Sequence, residues 1–114
     1  MAEISKVMTA QEAIDRFVHD GDIIATGGFG TNRCPYALSH EIIRQKKTHL
    51  ILEGGSSCGD MDILIGSGLV DAMNIGYIAN AGFSAVCRRF RTAKKTGAHP
   101  RRSCETRLGC RIPA

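Results

Sequence analysis

Short apolar runs alternate along this chain with segments of helical periodicity, and this alternation is the feature that most restricts its fold. Within residues 1–91 the order is helix, strand, helix, strand, helix, strand and the start of a further helix, with glycine-containing turns between them. Parallel strands need a long crossover connection, usually a helix, so the pattern indicates parallel strands joined by helices. We therefore predict an α/β fold built on an open, layered parallel sheet.

The predicted elements have definite bounds. Thr9 and Glu12 have the spacing of a capping box and predict the start of the first helix. Asp60 and Asp62 are predicted to lie at the start of the third helix, where they cap it and complement its dipole. The full set is a helix at 8–19, a strand at 23–26, a helix at 35–45, a strand at 49–52, a short helix from Ile63 to Gly66 or Gly68, a strand at 71–80 and a helix beginning within 81–91.

The charge of the chain changes abruptly after residue 91. Residues 1–91 carry nine basic and ten acidic side chains, a net charge of −1, whereas residues 92–114 carry six basic ones and a single acid, a net charge of +5. Helical periodicity is lost at the same point, and such a composition does not bury enough apolar surface to order a chain. We predict a folded part at 1–91 and a basic tail at 92–114 that is disordered or translated from a shifted reading frame.

Several classes of protein are disfavoured by composition. No apolar run approaches the roughly 20 residues of a membrane span, and the N-terminus lacks the apolar core of a signal peptide, so we predict a cytoplasmic protein without a membrane partner. The five cysteines have no C-x-x-C spacing, and no histidine pair has ligand spacing, which predicts reduced thiols and no metal site. The basic residues near 87–91 match no nucleic-acid-binding module, so no nucleic-acid partner is predicted.

The sequence GGFGTNRCP, at residues 27–35, is the main candidate site. Glycines between a strand and a helix bring backbone N–H groups together, which suits a phosphate, a carboxylate or a developing oxyanion. The Arg33 guanidinium favours the same ligands. Neither nucleotide-binding fingerprint is present. The residues alone leave two interpretations open, an anion-binding turn and a plain connection from strand to helix.

Glu53 is a second candidate, because it ends a predicted strand just before Gly54 and Gly55. Ligands bind at the carboxyl ends of parallel strands, and a glutamate there can act as a nucleophile. The alternative is an ordinary surface carboxylate.

Residues 5–91 resemble the A (alpha) subunits of family I CoA-transferases, the glutaconate-type enzymes in particular. The resemblance lies in four stretches in order, SKVMTAQEAIDRFVHDGDIIATGGF, NRCPYALSHEIIRQ, GDMDILIGSG and AVCRRFR. It implies the open α/β fold of that superfamily and a heteromer of A and B subunits. It also implies a length two or three times that of this chain, so we expect the chain to be an N-terminal portion.

The resemblance further implies transfer of CoA from an acyl-CoA, such as acetyl-CoA, to a short carboxylate or dicarboxylate such as glutaconate. The resemblance places the glutamate that forms the glutamyl-CoA intermediate on the B subunit, so no catalytic residue is expected in this chain. Glu53 is therefore a less favoured candidate for the nucleophile. Coenzyme A is a substrate in this chemistry, and no bound cofactor is expected. The substrate- or CoA-binding residues that carry over are Gly27, Gly28, Phe29, Gly30 and Arg33.

Two alternatives to a transferase remain. A related CoA-thioester hydrolase shares the R-x-P turn, and a fragment of this size can instead be a non-catalytic binding module.

Overall fold

The computed structural model of the protein describes residues 5–96. Its elements in chain order are helix α1 (Ala10–Phe17), strand β1 (Ile23–Ala25), helix α2 (Tyr36–Arg44), strand β2 (Leu50–Ser57), helix α3 (Gly59–Gly66), strand β3 (Val70–Ile78) and helix α4 (Arg88–Thr96). In this part of the chain no helix has the length and apolarity that crossing a bilayer requires.

The three strands form one parallel sheet in the order β1-β2-β3. Every connection between neighbouring strands contains a helix, as parallel pairing demands. The predicted α/β fold with an open parallel sheet is confirmed.

The core lies between the sheet and the helices. Leu50 and Leu52 of β2 are fully buried, and they join a cluster with Met73 of β3 and Leu64 of α3. Along β1 the exposure alternates, because Ile24 packs against this cluster whereas the neighbouring Ile23 is 62% exposed. Within the described residues, one face of the sheet is therefore covered by helices and the other face carries exposed side chains.

The first helix begins as predicted. Thr9 Oγ1 accepts a hydrogen bond from the backbone N–H of Glu12 at 3.2 Å, and Glu12 Oε2 accepts one from the backbone N–H of Thr9 at 2.8 Å. This reciprocal pair is the capping box, and it satisfies two amides that the first turn would otherwise leave free.

Strand β2 is longer than predicted. The prediction ended it at Leu52, but it continues through the glycine- and serine-rich stretch to Ser57. Ser56 and Ser57 pair with Tyr77 and Ile78 of β3, so pairing with a neighbouring strand overrides the weak strand propensity of these residues.

One helix start also differs from the prediction. Helix α3 begins at Gly59 rather than Ile63, because β2 delivers the chain directly to its first turn. Helix α4 begins at Arg88, inside the stretch 81–91 where a helix start was predicted, and residues 81–86 before it form turns. It crosses residue 92, where we placed the boundary of the tail, and ends at Thr96. Residues 97–114 lie outside the described part, and the division of the chain at residue 91 stays a prediction.

Candidate functional site

The segments that follow the three strands converge at the carboxyl edge of the sheet. They are the glycine turn (residues 27–35) after β1, Cys58–Asp60 after β2, and Asn80–Ser84 after β3; we call them together the carboxyl-edge site. Cys58 Sγ lies 3.1 Å from Asn80 Oδ1, and a Cβ built on Gly30 would lie 3.6 Å from the Ala81 Cβ. Three separate parts of the sequence therefore meet where open parallel sheets bind their ligands.

The glycine turn is held in a tight conformation by its own backbone. Phe29 and Asn32 exchange two N–H to C=O hydrogen bonds, both of 3.1 Å. Gly28 has φ +110°, and a Cβ there would lie 2.7 Å from the Asn32 carbonyl oxygen, so only glycine fits. Arg33 also has a positive φ, of 60°, which is uncommon for a residue with a side chain.

The residues predicted to bind substrate are accessible in this turn. Gly27, Gly28 and Arg33 are exposed, and the Phe29 side chain is 74% exposed. Within residues 5–96 the backbone N–H groups of Gly27, Gly28 and Gly30 donate no hydrogen bond, and the Arg33 guanidinium forms no ion pair. The turn thus presents unpaired donors and a cation, an arrangement suited to an anionic or developing oxyanionic group, and the binding role of these five residues stays a prediction.

A cluster of residues at the carboxyl edge was not predicted from the sequence. It consists of Tyr36, Cys58, Gly59 and Asn80. The Tyr36 hydroxyl lies 3.8 Å from Cys58 Sγ, and Cys58 in turn donates to Asn80. A Cβ on Gly59 would lie 2.7 Å from the Tyr36 hydroxyl oxygen, so the glycine lets the hydroxyl approach the first residue of α3. The signal that would have located Cys58 and Asn80 is their position just after the true ends of β2 and β3.

Two groups of this region, the Cys34 thiol and the Tyr36 hydroxyl, stay protonated at neutral pH. Burial, then the negative charge of Asp60 and the neighbouring Cys58, raise the pKa of the Cys34 thiol to about 11. Burial and the contact with Cys58 raise the pKa of Tyr36 to about 12. Both groups are therefore neutral hydrogen-bond donors at pH 7 rather than nucleophiles.

The carboxylates occupy places that differ from the prediction. Glu53 lies inside β2, paired with Ala25 and Asn74 and exposed, and not at the carboxyl edge. Asp60 is 1% exposed, and its Oδ2 has no hydrogen-bond partner among the described residues. Asp62 is in the first turn of α3, but its carboxylate accepts the backbone N–H groups of Phe90 at 2.8 Å and Arg89 at 3.4 Å. It therefore caps α4, a role for Asp62 that the sequence pattern did not predict.

Known proteins are similar to this chain in sequence and in fold. Residues 7–97 match the family described as Coenzyme A transferase. The chain is 53% identical over 88 residues to the A subunit of glutaconate CoA-transferase from Acidaminococcus fermentans, which covers 77% of this chain and 28% of that protein. It is 38% identical over 94 residues to the A subunit of 3-oxoadipate CoA-transferase from Pseudomonas knackmussii, which covers 82% of this chain and 33% of that one.

Solved structures of related proteins superpose on this chain. The crystal structure of glutaconate coenzyme A-transferase from Acidaminococcus fermentans superposes with a TM-score of 0.80 at 50% identity, covering 83% of this chain and 30% of that one. A variant of the decarboxylase AibA/AibB superposes with a TM-score of 0.72 at 28% identity, covering 83% of this chain and 37% of that one. The chain spans 28% and 33% of the lengths of the two CoA-transferase A subunits that it matches. With the family match extending over residues 7–97, the chain belongs to the Coenzyme A transferase family.

Proposed function

We propose that this chain supplies part of the A subunit of a cytoplasmic CoA-transferase. The reaction moves CoA from an acyl-CoA, such as acetyl-CoA, to a short carboxylate or dicarboxylate such as glutaconate. The observation that carries the proposal is that the family match, residues 7–97, contains all three segments of the carboxyl-edge site. The identity of 53% to one chain of a glutaconate CoA-transferase supports a substrate of that class.

In this proposal the glycine turn forms one wall of the thioester site. The unpaired N–H groups of Gly27, Gly28 and Gly30 donate to the oxygen on which negative charge develops when the thioester carbonyl is attacked. Arg33 pairs with the carboxylate of the acid, since a guanidinium binds a carboxylate through two parallel hydrogen bonds. Phe29 covers the site from solvent. Coenzyme A takes part as a substrate, and the chemistry needs no bound cofactor.

The attacking group is proposed to come from a partner B subunit. A glutamate of that partner attacks the thioester carbonyl, and the CoA thiolate leaves as an acyl-glutamyl anhydride forms. The thiolate then attacks the glutamyl carbonyl, which releases the first acid and leaves glutamyl-CoA for the second acid to attack. The groups of this chain bind and orient, and they form no covalent bond.

The test is to express the chain with the B subunit of a glutaconate CoA-transferase and to incubate the purified complex with acetyl-CoA and glutaconate. We expect glutaconyl-CoA and acetate, measured by chromatography, and a covalent CoA adduct in the mass spectrum of the B subunit. Free CoA without glutaconyl-CoA would indicate a hydrolase. A stable complex without turnover would indicate a non-catalytic module.

Arg33 provides a sharper prediction within this proposal. Arg33→Gln keeps a polar side chain but removes the charge, so the KM for glutaconate is expected to rise about tenfold or more, equivalent to about 1.4 kcal/mol. The matched control is Arg16→Gln, an exposed residue of α1 that belongs to none of the three segments of the carboxyl-edge site and whose guanidinium carbon lies 5.3 Å from the Phe17 ring centroid. Equal KM values for the two variants would contradict a role for Arg33 in binding the acid.

A further inference from the structure

Asn80 occupies a constrained position in the carboxyl-edge site. Its backbone N–H donates to the Ser84 carbonyl at 3.0 Å, and its own carbonyl accepts from Phe83 at 2.9 Å and from Ser84 at 2.8 Å. The backbone of residue 80 is therefore held by a tight turn directly after β3. Ala81 places the same turn against Gly30 of the glycine turn.

The side chain of Asn80 is also oriented. Cys58 Sγ lies 3.1 Å from Oδ1, and because a thiol donates more readily to an oxygen than it accepts from an amide, the amide oxygen faces the thiol. Cys58 is 1% exposed and lies directly before α3, so packing fixes the position of its thiol. The thiol and the turn together define the direction of the amide plane.

The other end of the amide is a free donor. Within residues 5–96, Nδ2 of Asn80 makes no hydrogen bond, and it is not among the buried atoms that lack a partner. Asn80 is half-buried and the adjacent Ala81 lies against Gly30 of the glycine turn, so this oriented N–H₂ group has the geometry of a binding group in the carboxyl-edge site. The amide donates through N–H, so its natural acceptor is a carbonyl or carboxylate oxygen.

We infer that the Asn80 side-chain amide donates a hydrogen bond to an acyl oxygen of the bound substrate, with the Cys58 thiol as the positioning group. The inference rests on the proposed function. The acceptor is a carbonyl or carboxylate oxygen, supplied either by the thioester or by the acid. Asn80 binds the substrate, whereas Cys58 acts only through Asn80.

The experiment places the ¹⁵N-labelled chain in complex with the B subunit. It follows the side-chain amide resonance of Asn80, assigned by its absence in Asn80→Asp. S-acetylpantetheine and glutarate are the two probes, one carrying a thioester and the other only carboxylates. We expect the Asn80 resonance to move with at least one of them, and the probe that moves it identifies the source of the oxygen. The shift should be lost in Cys58→Ala and recovered in Cys58→Ser, whose hydroxyl still donates to Oδ1.

Kinetics provide the second measurement. Asn80→Asp replaces the donor by an acceptor of the same shape, and the KM for the corresponding substrate should rise tenfold or more, with thermal unfolding unchanged. Gln11→Glu is the matched control, because it makes the same amide-to-carboxylate change at an exposed position of α1.

The outcomes separate the inference from the proposed function. If the Gly28 and Gly30 resonances move with the probes while that of Asn80 does not, the inference is wrong and the binding site stands. If no resonance of the carboxyl edge moves, both are wrong. A KM for Asn80→Asp equal to that of Gln11→Glu also overturns the inference.

Discussion

The Cys34 thiol combines partial exposure with a pKa of about 11, and this combination sets its reactivity. Only the thiolate reacts with alkylating reagents, so at pH 8 we expect iodoacetamide to modify Cys34 about 100-fold more slowly than a thiol with the ordinary pKa of 9.0. The rate should climb about tenfold per pH unit towards pH 11, as the thiolate fraction grows. Peptide mapping by mass spectrometry measures the rate at each pH.

Asp60 provides the variant for this prediction. Its charge is the second cause of the raised pKa of Cys34, after burial, so Asp60→Asn should lower that pKa and speed alkylation at pH 8. Cys87 is an internal control, because it is fully buried and its pKa of about 12 keeps it unreactive while the protein is folded. A rate for Cys34 that stays flat between pH 8 and pH 10 would show that access, and not ionisation, limits the reaction.

At the scale of single elements, a buried carboxylate of α3 caps helix α4, whose Phe90 and Ala93 also pack against the core. Asp62 is 4% exposed and accepts the backbone N–H groups of Arg89 and Phe90, so Asp62→Ala removes these two hydrogen bonds together with the ion pair between Asp62 and the Arg89 guanidinium at 3.6 Å. We expect the free energy of unfolding in urea to fall by about 2 kcal/mol. Asp62→Asn keeps an acceptor oxygen and should lose less.

The matched control for Asp62 is Asp15→Ala on the exposed side of α1, which should change stability by no more than about 0.5 kcal/mol. Hydrogen exchange at α4 gives the local measurement, with faster exchange expected in Asp62→Ala only. Equal losses in the two variants would mean that the cap contributes nothing specific.

The helices and strands also show which features the sequence could predict and which it could not. The order of helices and strands and the Thr9–Glu12 capping box follow from local patterns, and the structure confirms both. The end of β2 and the partner of Asp62 depend on residues 20 to 30 positions away, which local patterns do not contain. The glycine turn was identified as a candidate site, but the cluster of Tyr36, Cys58 and Asn80 arises only when three strands bring their ends together.

At the scale of the whole molecule, the two faces of the sheet differ. Parallel sheets are normally covered on both faces, but in residues 5–96 the helices pack on one face and Ile23 stands exposed on the other. Ile23→Lys should therefore leave the thermal unfolding of the isolated chain nearly unchanged and reduce its self-association, measured by light scattering.

The adjacent residue gives the comparison for Ile23. Ile24 packs against the core, so Ile24→Lys should lower the free energy of unfolding by about 2 kcal/mol or more, through lost packing and a buried charge. If both lysine variants lose the same stability, the assignment of the two faces is wrong.

The close approach of the Tyr36 hydroxyl to Gly59 also constrains how this sequence can evolve. Alanine is the better helix former at the first position of α3, but its methyl group would meet the hydroxyl oxygen at 2.7 Å, whereas the next contacts, to Asn80 Oδ1 and the Tyr36 ring, are at 3.3 and 3.5 Å. Loss of the hydroxyl, as in phenylalanine, removes the shortest contact. Substitutions at the two positions are therefore coupled, since a side chain at residue 59 requires that the Tyr36 hydroxyl be lost or that its ring shift away. Among related sequences, a side chain at position 59 should be found with a residue smaller than tyrosine, or without its hydroxyl, at position 36.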